Sequence, residues 1–276
     1  MKTVSLADGT KVPVLGQGSW MMGEQAGQRQ QEIAALQAGL DLGLTLIDTA
    51  EMYADGEAER LVGEAIAGRR DEVFLVSKAY PQNASRARLR QACEASCQRL
   101  RTDHLDLYLL HWRGSVPLAE TVEAMEALVA SGLIARWGVS NLDTDDMVEL
   151  EQVGGSACMT DQILYNLARR GPEFDLIPWL GRRSIPVMAY SPVEQGRLLG
   201  HEVLGRIASE HGVSAAQVAL AWLLRRPGVL AIPKAASLAH VRDNRAAMDL
   251  VLTEDAIALL ERHFPAPTKR QPLEMI

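Results

Sequence analysis

The sequence predicts an α/β fold of the (β/α)8 TIM-barrel type, preceded by an N-terminal β-hairpin. Three observations point there. Strand-like and helix-like runs alternate along the chain. Eight runs read as strands, beginning at residues 14, 44, 73, 106, 134, 158, 186 and 228. These runs are apolar along most of their length, as parallel strands are when both faces of the sheet are covered. Right-handed crossovers then leave a closed eightfold barrel or an open doubly wound sheet. The dinucleotide-binding form of the open sheet expects GxGxxG after its first strand, and "GQGSWMMG" has the wrong spacing and context. With 276 residues, 47% of them hydrophobic, one barrel domain spanning residues 1–276 accounts for the length.

The elements follow in order. "VSLADGTKVPV" reads as the hairpin, with Asp8-Gly9 in its turn. "VLGQGSW" is a short first strand. "RQQEIAALQAGLDLG" is amphipathic and ends at Gly43, a helix-stop signal. "LTLID", "EVFLVSK" and "LDLYLLH" are strands, separated by the helices "EAERLVGEAIAG" and "SRARLRQACEASCQRL", the latter with Ser85 as its expected cap. "LAETVEAMEALVASG" leads to the strand "IARWGVSN". "DTDDMVELEQVG" is a helix whose acidic start suits its N-terminus. "CMTDQILY" holds a strand, "FDLIPWLGRR" a helix despite Pro178, and "IPVMAYS" a strand. Two helices, "HEVLGRIASEHG" and "SAAQVALAWLLRR", precede the last strand, "GVLAIPK". "LAHVRDNRAAM" and "TEDAIALLERH" complete the pattern.

Composition narrows the function. A net charge of -7 argues against a nucleic-acid partner. The start, "MKTVSLADGTKVPV", lacks the apolar stretch of a signal peptide, and no run reaches the roughly 18 apolar residues of a membrane helix. Three cysteines form no disulfide framework, and Cys93 and Cys97 read as reduced core residues of a helix. A cytoplasmic location and no membrane partner are the expectation. No cluster with metal-ligand spacing is present, so no metal is expected. The helices carry no clear interface stripe, which leaves a monomer or a weak homo-oligomer.

In a barrel of this kind the active site lies at the C-terminal ends of the strands. Those ends carry Ser19-Trp20, Asp48, Lys78, His111-Trp112, Ser140-Asn141, Asp161-Gln162, Tyr190-Ser191 and Pro233-Lys234. Four scattered segments, "DTAEMY", "VSK", "LLHW" and "GVSN", occur in the order found in one family, and the likeness extends to "IPKAASLAHVRDN". The sequence resembles an aldo-keto reductase. The resemblance implies the barrel and NAD(P)H-dependent reduction of aldehydes or ketones, with a small carbonyl compound as substrate. It also implies a catalytic tetrad of Asp48, Tyr53, Lys78 and His111.

The chemistry gives those residues roles. Hydride attack leaves negative charge on the carbonyl oxygen, which then needs a proton donor and preorganised partners. Tyr53 is the expected donor, and Lys78 beside it is expected to favour the phenolate and ease proton release. Asp48 would hold Lys78, and His111 would donate to the carbonyl oxygen. The plain alternative is that Asp48 and Lys78 form no more than an interstrand ion pair. Trp20, Tyr80 and Trp112 are expected to wall the substrate pocket. Arg113 either reaches an anionic group of the substrate or faces solvent.

The resemblance also implies a coenzyme channel. Ser140, Asn141 and Gln162 would bind the nicotinamide carboxamide, and Tyr190 would stack on the ring. Ser191 would approach the pyrophosphate, Lys234 would pair with the 2′-phosphate of NADPH, and Asn244 would touch adenine. The chain departs from the family pattern at the phosphate, where Ala235 replaces a hydroxyl residue and His240 an arginine. NADPH therefore remains first choice, with NADH possible. A second departure follows Tyr53. "YADGEAERLVG" has Ala58-Glu59 where a Ser-Glu pair is frequent. The 13 residues after His263 suffice for a short flap over an open pocket. Two other readings stay open at this level. One is another barrel enzyme that binds a phosphorylated ligand at "IPK", and the other is a noncatalytic NADP(H)-binding accessory subunit.

Overall fold

The structure, a computed structural model, describes residues 2–276. Strands β1 (Thr3–Ser5) and β2 (Lys11–Pro13) pair antiparallel, with Val4 opposite Val12. Asp8 accepts a bond from the Thr10 amide at 2.9 Å within the intervening turn. Leu6 and Val12 from this hairpin pack with Leu46, Val76, Leu107, Leu109, Met188 and Leu230, so the hairpin plugs one end of the barrel interior.

The barrel strands are β3 (Gln17–Gly18), β4 (Leu46–Asp48), β5 (Phe74–Ala79), β6 (Leu107–Leu110), β7 (Trp137–Ser140), β8 (Asp161–Leu164), β9 (Val187–Tyr190) and β10 (Val229–Ala231). Each pairs in parallel with the next in sequence. Closure comes from the segment around β3. The Gly16 amide donates to Ala231 O (2.8 Å), the Ala231 amide to Val14 O (2.9 Å), and the Gly18 amide to Pro233 O (3.1 Å). The first strand is only two residues long because its anticipated start is held by these isolated bridges. The expected (β/α)8 barrel with its hairpin is the observed fold.

Around the barrel lie α1 (Arg29–Asp41), α2 (Glu57–Ala65), α3 (Leu89–Leu100), α4 (Leu118–Ala130), α5 (Thr144–Gln152) and α6 (Leu176–Arg182). They are followed by α7 (Glu202–His211), α8 (Ala215–Leu224), α9 (Leu238–Ala246) and α10 (Glu254–His263). Side chains alternate across each strand. Ile47, Leu75, Tyr108, Leu110, Val139 and Ile163 therefore face the helices, while their neighbours fill the barrel. Gly43 adopts φ +83 and ends α1, and the Leu44 amide bonds back to Gly39 O at 2.8 Å. That left-handed stop matches the glycine's expected role. Ser85 does not cap α3. The helix begins at Leu89 with no side-chain cap, and the Ser85 carbonyl instead accepts from the Arg88 and Leu89 amides in a preceding turn.

One strand residue runs against the rest. Gln162 points inward, so Asp161 on the same strand points outward beneath the helices, fully buried and away from the rim where its strand-end position suggested it. Among the described residues neither carboxylate oxygen has a partner of normal hydrogen-bond geometry. Burial pushes its pKa well above the usual carboxylate value, and the Leu142 amide offsets only part of this. The folded chain thus keeps a proton that the unfolded chain releases above about pH 3.9. This group's contribution to stability is full below that pH and is lost as pH rises toward the folded value. Asp161→Asn cannot titrate, so its melting temperature should gain on the parent's as pH rises from about 4 to neutrality. Thermal melts at several pH values test this, and parallel curves for the two chains would refute it.

Candidate active site

The functional side chains converge at the C-terminal rim because parallel strands of one sense end together there. Asp48 closes β4 and Lys78 lies near the end of β5, its neighbour. The Lys78 Nζ donates to Asp48 Oδ2 (2.8 Å), to Thr49 O (2.8 Å) and to the Tyr53 hydroxyl (3.0 Å). The other Asp48 oxygen accepts from Gln162 Nε2 at 2.7 Å. Burial drives the Asp48 carboxyl up and the Lys78 ammonium down, and the charge of each pulls the other back. Asp48 Oδ2, Thr49 O and the Tyr53 hydroxyl together match the three protons that an ammonium carries.

Tyr53 reaches Lys78 from a tight turn after β4. Ala54, Asp55 and Gly56 stand in succession at φ +48, +52 and +85. The two non-glycine residues cost on the order of 1 kcal/mol each or more in this region. The Tyr53 ring packs edge-on against Trp20 (centroids 4.9 Å apart) and His111 (5.8 Å). Burial, and then the Asp48 charge, raise the Tyr53 pKa well above its ordinary value. This reverses the expected direction. Asp48 cancels the field of Lys78 at the phenol, which leaves desolvation in control. Burial and the Lys78 charge hold His111 down at about 2, so its ring is neutral, and its Nδ1 is buried without a partner among the described residues.

These groups form the floor of a cavity of about 620 Å³. Trp20 and Trp112 line it. Tyr80 does not line it. It stands behind Trp112, edge-on at 5.9 Å, and its amide is tied to Glu51 at 2.6 Å. Arg113 neither reaches into the cavity nor faces solvent freely. Its guanidinium is taken by Asp146 (2.5 Å) and by both oxygens of Glu149 (2.7 and 2.9 Å). Its position directly after Trp112 suggested the rim, but two carboxylates on α5 compete for it.

Ser140, Asn141, Gln162, Tyr190, Ser191, Lys234, His240 and Asn244 all line the same cavity. Tyr190 donates to Asn141 Oδ1 (3.0 Å), and Asn141 Nδ2 reaches His111 O (3.1 Å) and Ser140 Oγ (3.0 Å). His240 and Asn244, four apart on α9, share its cavity face. Sequence reasoning missed Met21, Met52, Leu199, Asp243, Met275 and Ile276, which also line it. Asp243 was findable, being one helical turn from His240. Met275 and Ile276 arrive through long-range pairs, Arg169 with Glu274 (2.5 Å) and Arg270 with Asp145 (2.8 Å), which no local pattern announces.

Among the described residues no helix is long and apolar enough to cross a membrane. The profile of the aldo/keto reductase family matches residues 14–264. The methylglyoxal reductase YeaE of Escherichia coli is 54% identical over 281 residues, covering 100% of this chain and 99% of that one. A glyoxal reductase of Bacillus subtilis is 32% identical over 271 residues, covering 96% of each. The crystal structure of an aldo/keto reductase from Klebsiella pneumoniae in complex with NADP and acetate superposes with a TM-score of 0.98 at 56% identity, covering 100% of this chain and 99% of that one. With the barrel, the rim constellation and these likenesses in agreement, the chain belongs to the aldo/keto reductase family.

Proposed function

We propose that the protein reduces small uncharged 2-oxoaldehydes and related aldehydes with NADPH, Tyr53 giving the proton. The observation that carries this reading is the bonded set Asp48–Lys78–Tyr53 at the floor of a cavity that runs on to Lys234. The likeness to a methylglyoxal reductase and a glyoxal reductase favours the substrate class. Klebsiella relatives described in complex with NADP and with NADPH favour the coenzyme.

The lining residues fit a dinucleotide. The Tyr190 ring and the amides of Asn141 and Gln162 suit a flat ring carrying a carboxamide, while Ser191 and the loop reaching Gly196 suit a pyrophosphate. Lys234, exposed at the end of the cavity, offers one cation to a 2′-phosphate, with His240 and Asn244 beside it. The bound reduced coenzyme supplies a hydride to the carbonyl carbon. The chain's own residues then manage the charge left on oxygen. Tyr53, kept protonated by its raised pKa, donates its phenolic proton to that oxygen. Lys78, already bonded to the hydroxyl, stabilises the phenolate that remains, and Asp48 holds the ammonium in place. A neutral His111 orients the carbonyl by donating an N–H.

Tyr53→Phe keeps volume and removes the donor. Turnover with methylglyoxal, followed as NADPH oxidation, should fall about 10²- to 10⁴-fold while NADPH affinity changes little. Near-parental turnover would dismiss Tyr53 as the acid.

Among the described residues the substrate end has no cation to spare. Lys78 is saturated by three acceptors, and Arg113 is held by Asp146 and Glu149. An unpaired carboxylate is costly to bury. We expect kcat/KM for methylglyoxal to exceed that for a 2-oxo acid of similar size by about 100-fold or more, since 2.7 kcal/mol of lost pairing is worth roughly that factor. Comparable values for both would contradict an uncharged pocket.

At the other end Lys234 stands without the hydroxyl and arginine frequent beside it. A charge-assisted bond contributes roughly 1.5 to 3 kcal/mol, so Lys234→Met should weaken NADPH binding about tenfold or more and NADH binding far less. Equal weakening of both, measured as dissociation constants, would mean that Lys234 does not read the 2′-phosphate.

A further inference from the structure

The turn that presents Tyr53 is held from a direction the reaction never reaches. Its last residue, Gly56, is covered by Arg99 of α3. A Cβ at Gly56 would stand 2.6 Å from Arg99 Cδ and 2.8 Å from Arg99 Nε. The arginine therefore lies against the last of three consecutive left-handed residues. Its Nε donates to Glu59 Oε2, and its Nη2 donates to Ser96 Oγ at 3.1 Å. Glu59 is fully buried and accepts from Ser77 Oγ at 2.6 Å through its other oxygen.

Ser77 precedes Lys78 on β5. Adjacent strand residues face opposite sides, so Lys78 enters the barrel while Ser77 meets the helices. The contacts close a ring, running from the Tyr53 hydroxyl to Lys78, along the strand to Ser77, through Glu59 and Arg99 to Gly56, and back along the turn to Tyr53. Glu59 lies in the first turn of α2, directly after the Tyr53 turn, so a shift of that helix start moves the donor. The supporting helices are close, since a Cβ at Gly63 of α2 would stand 2.7 Å from Leu100 O of α3.

We propose that Arg99 and Glu59 are positioning residues for the proton donor, a pair behind the sheet that holds the Tyr53 turn closed against Lys78. This rests on the reading of Tyr53 as the acid. Neither residue of the pair is among those lining the cavity. The charge of Glu59 also reaches Lys78, where burial lowers the ammonium pKa and Asp48 and Glu59 oppose that fall. Opening the turn lengthens the bond from Lys78 to the phenol, weakens the support of the phenolate, and admits water, which relieves the desolvation that holds the phenol's pKa up and so lowers the pH at which the donor is lost.

The test compares the parent protein with Arg99→Met and Arg99→Lys. The readouts are kcat per NADPH-binding site, the NADPH dissociation constant, and the pH profile of kcat with methylglyoxal. Counting sites by coenzyme binding removes any change in the folded fraction. Arg99→Met should lower kcat per site between about tenfold and about 100-fold, as a donor displaced by roughly an ångström does. It should leave the NADPH dissociation constant within about twofold. The alkaline limb of the profile should move to lower pH, and Arg99→Lys should restore part of both changes. If Arg99→Met does not fold, Gly56→Ala takes its place, because its methyl presses on the same arginine from the turn side. An unchanged kcat per site with an unmoved alkaline limb, in whichever variant folds, overturns the proposal and leaves the pair a staple between two helices. Absence of turnover in the parent protein would instead defeat the reading of Tyr53 as the acid, so the two failures are told apart.

Discussion

A single ammonium group without solvent exposure, that of Lys78, constrains the rest of this barrel. Taking such a charge out of water costs several kcal/mol unless its protons and its charge are matched where it lies. Here the match is complete, with Asp48, the Thr49 carbonyl and the Tyr53 hydroxyl each accepting one bond. Those acceptors come from the end of β4 and the turn after it, so β4 and β5 must hold their register within a fraction of an ångström. Gln162, from the far side of the barrel, fixes the second oxygen of Asp48. One buried cation thus ties three strands and one loop into a single arrangement. The same arrangement accounts for the left-handed turn after Tyr53, because the chain has only a few residues in which to bring a phenol back over the lysine.

How much of this was legible follows from where each signal resides. The eight strands, the hairpin turn at Asp8-Gly9 and the helix stop at Gly43 are local patterns, and each matched the structure. Asp48, Lys78, His111 and the polar strand ends could be placed on one rim because parallel strands ending together is a topological rule rather than a matter of packing. Tyr80 was misjudged, Arg113 was left open and Asp161 was known only as a strand-end residue, each for a physical reason of another kind. Nearness in sequence to the rim did not reveal that Glu51 fixes the Tyr80 amide, that Asp146 and Glu149 compete for Arg113, or that Asp161 falls on the outward side of its strand. The direction of the Tyr53 pKa was likewise invisible, because it depends on the balance between burial and a neighbouring ion pair. Glu59 was noticed for its position beside Ala58, yet its partner Arg99 lies 40 residues away on another helix.

Under the proposed function the two ends of the cavity use opposite means of recognition, and the end assigned to the coenzyme departs further from the family pattern. Near Tyr53 the walls are aromatic or sulfur-bearing and, among the described residues, every charge is already paired, so under that reading a ligand there would be held by shape and by hydrogen bonds that strengthen as charge develops on its oxygen. At Lys234 the surface is open and a single ammonium faces the cavity. An ammonium is a point charge without the planar donor fork of an arginine. The start of α9 lies immediately beyond, with Ser237 as its N-cap, and a helix N-terminus directs unpaired amides and partial positive charge toward an anion. Part of that capacity is already used, because the His240 amide donates to Ser237 Oγ at 3.3 Å. Under the proposed function, one ammonium and the remaining helix amides would share a phosphate that an arginine and a hydroxyl would otherwise help to hold. Charge-assisted bonds from an exposed lysine are screened by salt, whereas the hydrogen bonds around the nicotinamide end are shielded within the cavity. Selectivity between the two coenzymes should therefore narrow as ionic strength rises, while the dinucleotide portion common to both is held as before.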